Sequence, residues 1–217
     1  MFHTLFEDRR NDDQKFSNCF ICMSVRSFDE LHWKLKSVLQ RQNTQFRTCI
    51  QPVEMLAIYL RYLSSGCTFT DLHYSYRVGI LTAKNIVEEV CATIWSEMRE
   101  ECIPTPTCDM WQSIASYFES IANFSNCLGA VDGKHIRLTC PFDSGLVYFN
   151  YKDYFSSVLL AVADTKYRFV YVDIGSYGKE SDSSIFKSKL WKSIESGPPP
   201  LPESPKIPNF FVDTDIY

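Results

Sequence analysis

The spacing of apolar residues changes near residue 125, and this limits the fold more than any other feature of the 217-residue chain. Before that point apolar side chains recur at helical intervals; after it they come in short runs bounded by turn residues. The fold class read from this change is α/β. An all-α, helix-turn-helix-like region, residues 18–125, precedes a mixed sheet in residues 126–217.

In the helical half, Ser27 and Glu30 form an S-x-x-E capping box ahead of Phe28, Leu31, Leu35, Val38 and Leu39. Pro52 suits the first turn of a second helix through Leu56, Leu60 and Leu63, which Gly66 closes. Thr68 and Asp71 repeat the capping-box pattern before a short helix through Leu72, Tyr74 and Tyr76 that stops at Gly79. Thr82 then caps a longer helix whose Ile86, Val87, Val90 and Ile94 share one side, running to about Met98. Short helix, Gly-containing turn and longer helix over about 68–98 is the helix-turn-helix layout, which ordinary helical hairpins share. From Arg61 to Arg99 four basic residues are balanced by four acidic ones, so phosphate attraction is weak unless the basic side chains segregate to one face. Trp111, Ile114, Phe118 and Ile121 mark one more amphipathic helix.

The second half reads as strands. Residues 127–131 and 135–139 flank Asp132-Gly133, Ser156 to Ala163 is a nearly continuous apolar run, and Tyr167 to Ile174 follows the turn Asp164-Thr165-Lys166. A run such as Val158-Leu-Leu-Ala-Val162 belongs in the centre of a sheet covered on both faces. A helix is expected between Ser181 and Ile194 with Ile185, Leu190 and Trp191 facing inward. Six prolines make residues 197–208 a loop, and Asn209 to Asp213 a final strand.

Composition narrows the function. A net charge of −4 excludes holding a polyanion by bulk electrostatics, so any nucleic-acid contact is local. No apolar run approaches the ~18 residues of a membrane span, and Met1 to Lys15 is too charged for a secretory signal, so a soluble intracellular chain without membrane contact is expected. The nine cysteines are odd in number and irregular in spacing. Free buried thiols fit them better than a disulfide scaffold, and Cys19-x-x-Cys22 supplies half a zinc site without a second half.

Three acidic positions stand at element ends. Asp132 follows the apolar run Leu128-Gly-Ala-Val131, where it could present oxygen to Mg2+ or Mn2+, although Asp-Gly is equally the usual type I′ hairpin turn. Asp182 opens the helix after a glycine-containing loop, where it or Ser181 serves as a cap. Asp213 and Asp215 end the last strand. Acids at three element ends, with no competing nucleophile constellation, point toward two-metal phosphoryl chemistry.

The stretch Cys127-Leu-Gly-Ala-Val-Asp-Gly-Lys-His-Ile-Arg-Leu138, with Pro141, Ser144-Gly145, Tyr148-Phe-Asn-Tyr-Lys152 and Phe155-Ser156, resembles the nuclease domain of PIF/Harbinger-type DDE transposases and their domesticated relatives. The likeness continues through Val162-Ala-Asp164, Tyr167-Arg-Phe169, Tyr171-Val-Asp-Ile-Gly175, Tyr177-Gly178 and Ser181-Asp-Ser183. Ser27 to Leu31, Arg41 to Thr44, Leu60 to Leu63, Phe69 to Glu89 and Trp111 to Phe118 resemble the helical segment and link that precede that domain, so roughly 190 residues are covered.

The resemblance implies a partial RNase H-like fold that cleaves DNA phosphodiesters with two divalent ions, Mg2+ or Mn2+, held by two Asp and one Glu. Asp132 matches the first carboxylate. Asp182 matches another recurrent acid that supports the site or its fold. Lys134, His135 and Lys152 match positions where a cation could meet a phosphate. In the family the last strand ends in Gly-Asp; an ungapped count places Thr214 at that Asp, and a one-residue slip places Asp213 there, with Asp215 beside it as a further metal candidate. The family's Glu falls beyond Tyr217, so the 217 residues are expected to be inactive alone. The resemblance further implies a nuclear location with room for a cytoplasmic pool, and a separate Myb/SANT-like DNA-binding partner. The competing expectation is a domesticated DNA- or protein-binding module without cleavage.

Overall fold

The computed structural model describes residues 22–43, 45, 48–192 and the backbone of 209–212, the side chains of 188 and 189 excepted. Two compact units divide at Arg99/Glu100. The change of apolar period near 125 lies further along, because the last helix of the helical half packs on the sheet.

The first unit is helical. α1 spans Val25–Leu39, α2 Pro52–Ser65, α3 Phe69–Tyr76 and α4 Ile80–Cys102, the last residues of α4 falling past the division. Phe28, Leu35, Met55, Leu56, Ile58, Leu72, Ile86 and Val90 form its core, each no more than 1% exposed. Pro52 opens α2 and Gly66 closes it at φ 61°, a left-handed conformation that favours glycine. At α3 both halves of the capping box are present: Thr68 Oγ1 accepts from Asp71 N–H, and the Asp71 carboxylate accepts from Thr68 N–H.

Several local expectations shift. α1 starts three residues early because Ser24 is the cap, accepting from Ser27 N–H at 3.1 Å. Gly79 does not end α3; Arg77 does so at φ 55°, and the Gly79 carbonyl accepts from Ala83 N–H, so α4 begins before Thr82. Val38 and Leu63 sit on helical faces turned to solvent, 52% and 59% exposed, since the core is already filled by Leu35, Leu39, Leu56 and Leu60.

The second unit is a sheet with helices on both faces. α5 (Cys108–Ala122) precedes β1 (Cys127–Arg137), β2 (Ser156–Ala163) and β3 (Phe169–Tyr177). α6 (Asp182–Ile185) continues as a π-helical turn, Phe186–Trp191, and β4 spans Asn209–Val212. The order is β3-β2-β1-β4, with β1–β2 and β2–β3 antiparallel and β4 parallel to β1. This mixed sheet is a partial RNase H-like fold.

Alternation assigns the faces. Leu128 and Val170 pack on Trp111 and Ile114 of α5, while Val131, Val158, Leu160 and Val162 pack on Ile185 and Leu190. β2 is therefore covered on both sides, as its unbroken apolar run requires. Ile121 points away at 70% exposed, and Trp191 is only half-buried, since Leu190 fills the inward position.

The largest departure is at Asp132-Gly133. These residues are no turn: β1 runs through them, with Asp132 opposite Ala161 and Gly133 opposite Leu160. The hairpin reading fails because β2 supplies eight consecutive partners from Ala130 to Arg137. β3 likewise ends at Tyr177 and not at Ile174, and its start moves from Tyr167 to Phe169.

Candidate functional site

Asp132 stands at the middle of β1, exposed, with Oδ1 accepting from Gly133 N–H at 2.8 Å. Asp182 is the first residue of α6, capped by Ser181, whose hydroxyl accepts from Ser184 N–H. Ile185 and Leu190 anchor this helical segment over the β1–β2 face, and that docking carries Asp182 onto Gly133. A methyl group built on Gly133 would come closer than 3.0 Å to Oδ1, Cγ and Oδ2 of Asp182. Only a residue without Cβ leaves room for that carboxylate.

The electrostatics follow from this approach. Burial pushes the Asp182 carboxyl above the usual carboxylate range, and the charge of Asp132 adds to the effect against a smaller opposing pull from His135. His135 lies two residues from Gly133 on the same face; burial holds its imidazole below the ordinary value, Asp182 raises it and Lys152 lowers it. Asp182 is thus within electrostatic reach of Asp132 and His135, and His135 of Lys152. Lys134 shares the face of Asp132 by alternation, opposite to that of Gly133 and His135, and is exposed and without an ion pair among the described residues. Asp213 and Asp215 lie outside the described residues, as do Cys19, Thr214 and the proline-rich loop.

The loop before β2 completes the site. Asn150, 3% exposed, accepts through Oδ1 from the N–H groups of Lys152 and Tyr154 at 2.9 and 3.3 Å, which fixes the turn carrying Lys152. Its Nδ2 donates to Ser156 Oγ at 2.9 Å, and Ser156 Oγ lies 2.9 Å from His135 Nδ1. The Tyr151 ring packs edge-on against His135 with centroids 5.5 Å apart, and Lys152 Nζ lies 5.3 Å from the Tyr151 ring centre. Neither Asn150 nor Ser156 stood out in the sequence as chemistry; the Asn-x-Lys spacing of an Asx turn was the available signal. Asp173, half-buried on β3, was also passed over: it pairs with Leu160, which pairs with Gly133, so it shares the face on which Asp182 sits.

Among the described residues no group of three or more His, Cys, Asp or Glu side chains converges as a metal site. What they offer is one carboxylate pair whose mutual repulsion a hard divalent cation would relieve, with a glycine clearing the space beside it. The donor set therefore fits such an ion in chemistry, as a partial shell. The site is open at the surface, whereas a hollow of about 360 Å³ lined by Met110, Tyr117, Lys166 and Phe169 lies at α5 and the β2–β3 turn. The eight described cysteines are free thiols, but only Cys127 is buried, against the expectation of buried ones. No described helix is long and apolar enough to cross a membrane.

Residues 131–207 match the model of the DDE superfamily endonuclease family. A protein named ALP1-like from Arabidopsis thaliana is 29% identical over 151 residues, covering 66% of this chain and 36% of the relative. The Arabidopsis protein named antagonist of like heterochromatin protein 1 is 27% identical over 145 residues, with the same two shares. The chain thus spans about a third of the length of these curated relatives. No solved structure matches it. Asp132 thus stands on an inner strand of a partial RNase H-like sheet, within the segment, residues 131–207, that is similar to the DDE superfamily endonuclease family.

Proposed function

We propose that residues 126–217 form the nuclease part of a divalent-metal-dependent DNA endonuclease, with residues 18–125 as its helical companion. The observation that carries this reading is the approach of Asp182 onto Gly133, the neighbour of Asp132 on an inner strand, close enough for the Asp132 charge to act on it. DDE superfamily endonucleases generally use divalent metals, and Mg2+ or Mn2+ suits an all-oxygen donor set. When bound, such ions activate the attacking oxygen and stabilise the leaving oxygen of a phosphodiester.

The chain's own residues have separable tasks. Asp132 supplies the first carboxylate ligand. Asp182 shapes the negative charge beside it. Lys152, on the turn that Asn150 fixes, and His135, on β1, meet the phosphate. The second ligand is assigned to Asp213 and not to Thr214, on the strength of register. β4 pairs Val212 with Val131 in parallel, and an aspartate follows each of these two residues in the sequence; Asp213 itself lies outside the described residues. Asp215, two residues on in the sequence, is the alternative ligand.

The test is Mn2+ titration of the chain followed by NMR line broadening, beside nicking of supercoiled DNA. Asp132→Ala and Asp213→Ala should each weaken Mn2+ binding while Thr214→Ala leaves it unchanged. Equal binding by wild type and Asp132→Ala would end the reading.

A binding module without cleavage is the second reading, favoured by one observation: the helices of the first unit expose Trp33, Tyr74, Leu81 and Trp95 at 51–75%. Apolar surface of that kind suits a protein partner better than a polyanion. The basic side chains are partly engaged as well: Arg41 pairs with Glu89, and Lys84 lies 3.7 Å from Glu88. Sequence readout on DNA is accordingly assigned to a separate Myb/SANT-like protein, in a nuclear setting. A pull-down in which Trp95→Ala and Tyr74→Ala abolish capture of a DNA-binding partner, with DNA binding unchanged, would support this second reading.

A further inference from the structure

We propose that Ser156 and Asn150 are positioning residues that fix His135 as the tautomer protonated on Nε2, so that a neutral hydrogen-bond donor faces the Asp182 carboxylate and the phosphate it would meet. The phosphate half of this statement rests on the nuclease reading; the tautomer does not.

The argument is a donor count. Ser156 is 0% exposed, so its hydroxyl has no water to turn to and must be satisfied by protein. Its Oγ has two side-chain neighbours, Asn150 Nδ2 and His135 Nδ1, each at 2.9 Å. An amide nitrogen only donates, so Asn150 fills one lone pair of Oγ and cannot take the hydroxyl proton. The orientation of that amide is itself fixed, because its Oδ1 accepts from two backbone N–H groups, those of Lys152 and Tyr154. The hydroxyl proton therefore goes to His135 Nδ1, which must be the bare, accepting nitrogen. Among the described residues no buried side-chain nitrogen or oxygen lacks a partner, and this assignment keeps it so.

The other ring nitrogen then carries the proton. Nδ1 is held inward at Ser156, the ring plane is set by edge contact with Tyr151, and Asp182 and Lys152 are the charges that His135 senses. An imidazole so held donates without having to be charged. The chain behind it is covalently short: Asn150, Tyr151 and Lys152 are consecutive, so the same turn that orients Ser156 also presents Lys152. One buried polar knot thus aligns two groups on the surface.

Long-range 1H–15N correlation of the imidazole nitrogens tests this in the intact chain, above the imidazole titration range, with His135→Gln assigning the signals. His135 should show a bare Nδ1 and a protonated Nε2. His73 provides the opposite internal standard, since its Nδ1 lies 2.7 Å from the Val78 carbonyl and must donate. Ser156→Ala should collapse the His135 pattern to a tautomer average, and Ser156→Thr should restore it. Asn150→Asp, which puts an acceptor beside the hydroxyl, should reverse the pattern to Nδ1–H. A wild-type His135 protonated on Nδ1 overturns the proposal even where Ser156→Ala fails to fold, and so does an unchanged pattern in a folded Ser156→Ala. No DNA enters the experiment, so loss of the nuclease reading in the Mn2+ titration leaves this result separate.

Discussion

Gly133→Ala probes the one approach on which the candidate site depends. The new methyl would come closer than 3.0 Å to three atoms of Asp182, whereas ordinary contact begins at 3.4 Å. The carboxylate must therefore withdraw by about 1 Å. It can do so by rotating away from Asp132 or by lifting α6, which Ile185 and Leu190, 1% and 2% exposed, resist. Overpacking of this kind costs about 1–3 kcal/mol. In an Asp182→Ala background the three obstructing atoms are gone, and the same methyl should cost well under about 1 kcal/mol. The entropic benefit of replacing glycine in the unfolded chain is common to both backgrounds and cancels. Urea unfolding of the four proteins then gives a coupling of about 1–2 kcal/mol, provided the m-values agree. Additivity within about 0.5 kcal/mol would show that Asp182 does not lie over Gly133, and with it the argument for the carboxylate pair would fall.

Other perturbations have equally definite outcomes. Because the Asp182 carboxyl is held above its usual range, its stability contribution is full below the unfolded value near pH ~3.9 and is lost as pH rises through the folded one. Asp182→Asn should therefore unfold at higher urea than wild type at neutral pH, with the gap closing in acid; a gap that persists in acid would contradict the assignment. Asp164 behaves oppositely. Burial alone would raise it, but Arg168 and Lys166 N–H groups and the Arg168 side chain, at 2.7–2.9 Å, hold it below the usual range. Its contribution is present above the unfolded value and lost as pH falls through the folded one, so Asp164→Ala should cost about 2–3 kcal/mol at neutral pH and little in strong acid. Gly178→Ala would set a methyl closer than 3.0 Å to the carbonyl oxygens of Tyr148 and Ser156, which are backbone and cannot swing away, so thermal unfolding should show a loss of about 1–3 kcal/mol or more.

What could be read from the chain alone is what local chemistry closes on itself. The Thr68–Asp71 capping box, the Pro52 start and Gly66 end of α2, and the Ser181 cap of α6 are each made by groups within four residues, so sequence spacing specifies them. The unbroken apolar run of β2 announced a strand buried on both faces for the same reason. The resemblance also led to the partial RNase H-like fold of the second half.

Tertiary structure decided everything that depends on a partner distant in the chain. Asp-Gly specifies a hairpin as readily as a strand interior, and only pairing with Ala161 and Leu160 made it the latter. Two amphipathic helices are compatible with Val38 and Leu63 inside, yet the volume was already taken, and both face solvent. The meeting of Asp182 with Gly133, and of His135 with Ser156 twenty-one residues away, exists because α6 docks on the β1–β2 face and because β1 and β2 share one register. Sequence thus determined which residues could cap, alternate and bury. Register and docking, which are set by burial summed over many residues and by no single neighbour, decided which of the acids came to stand together.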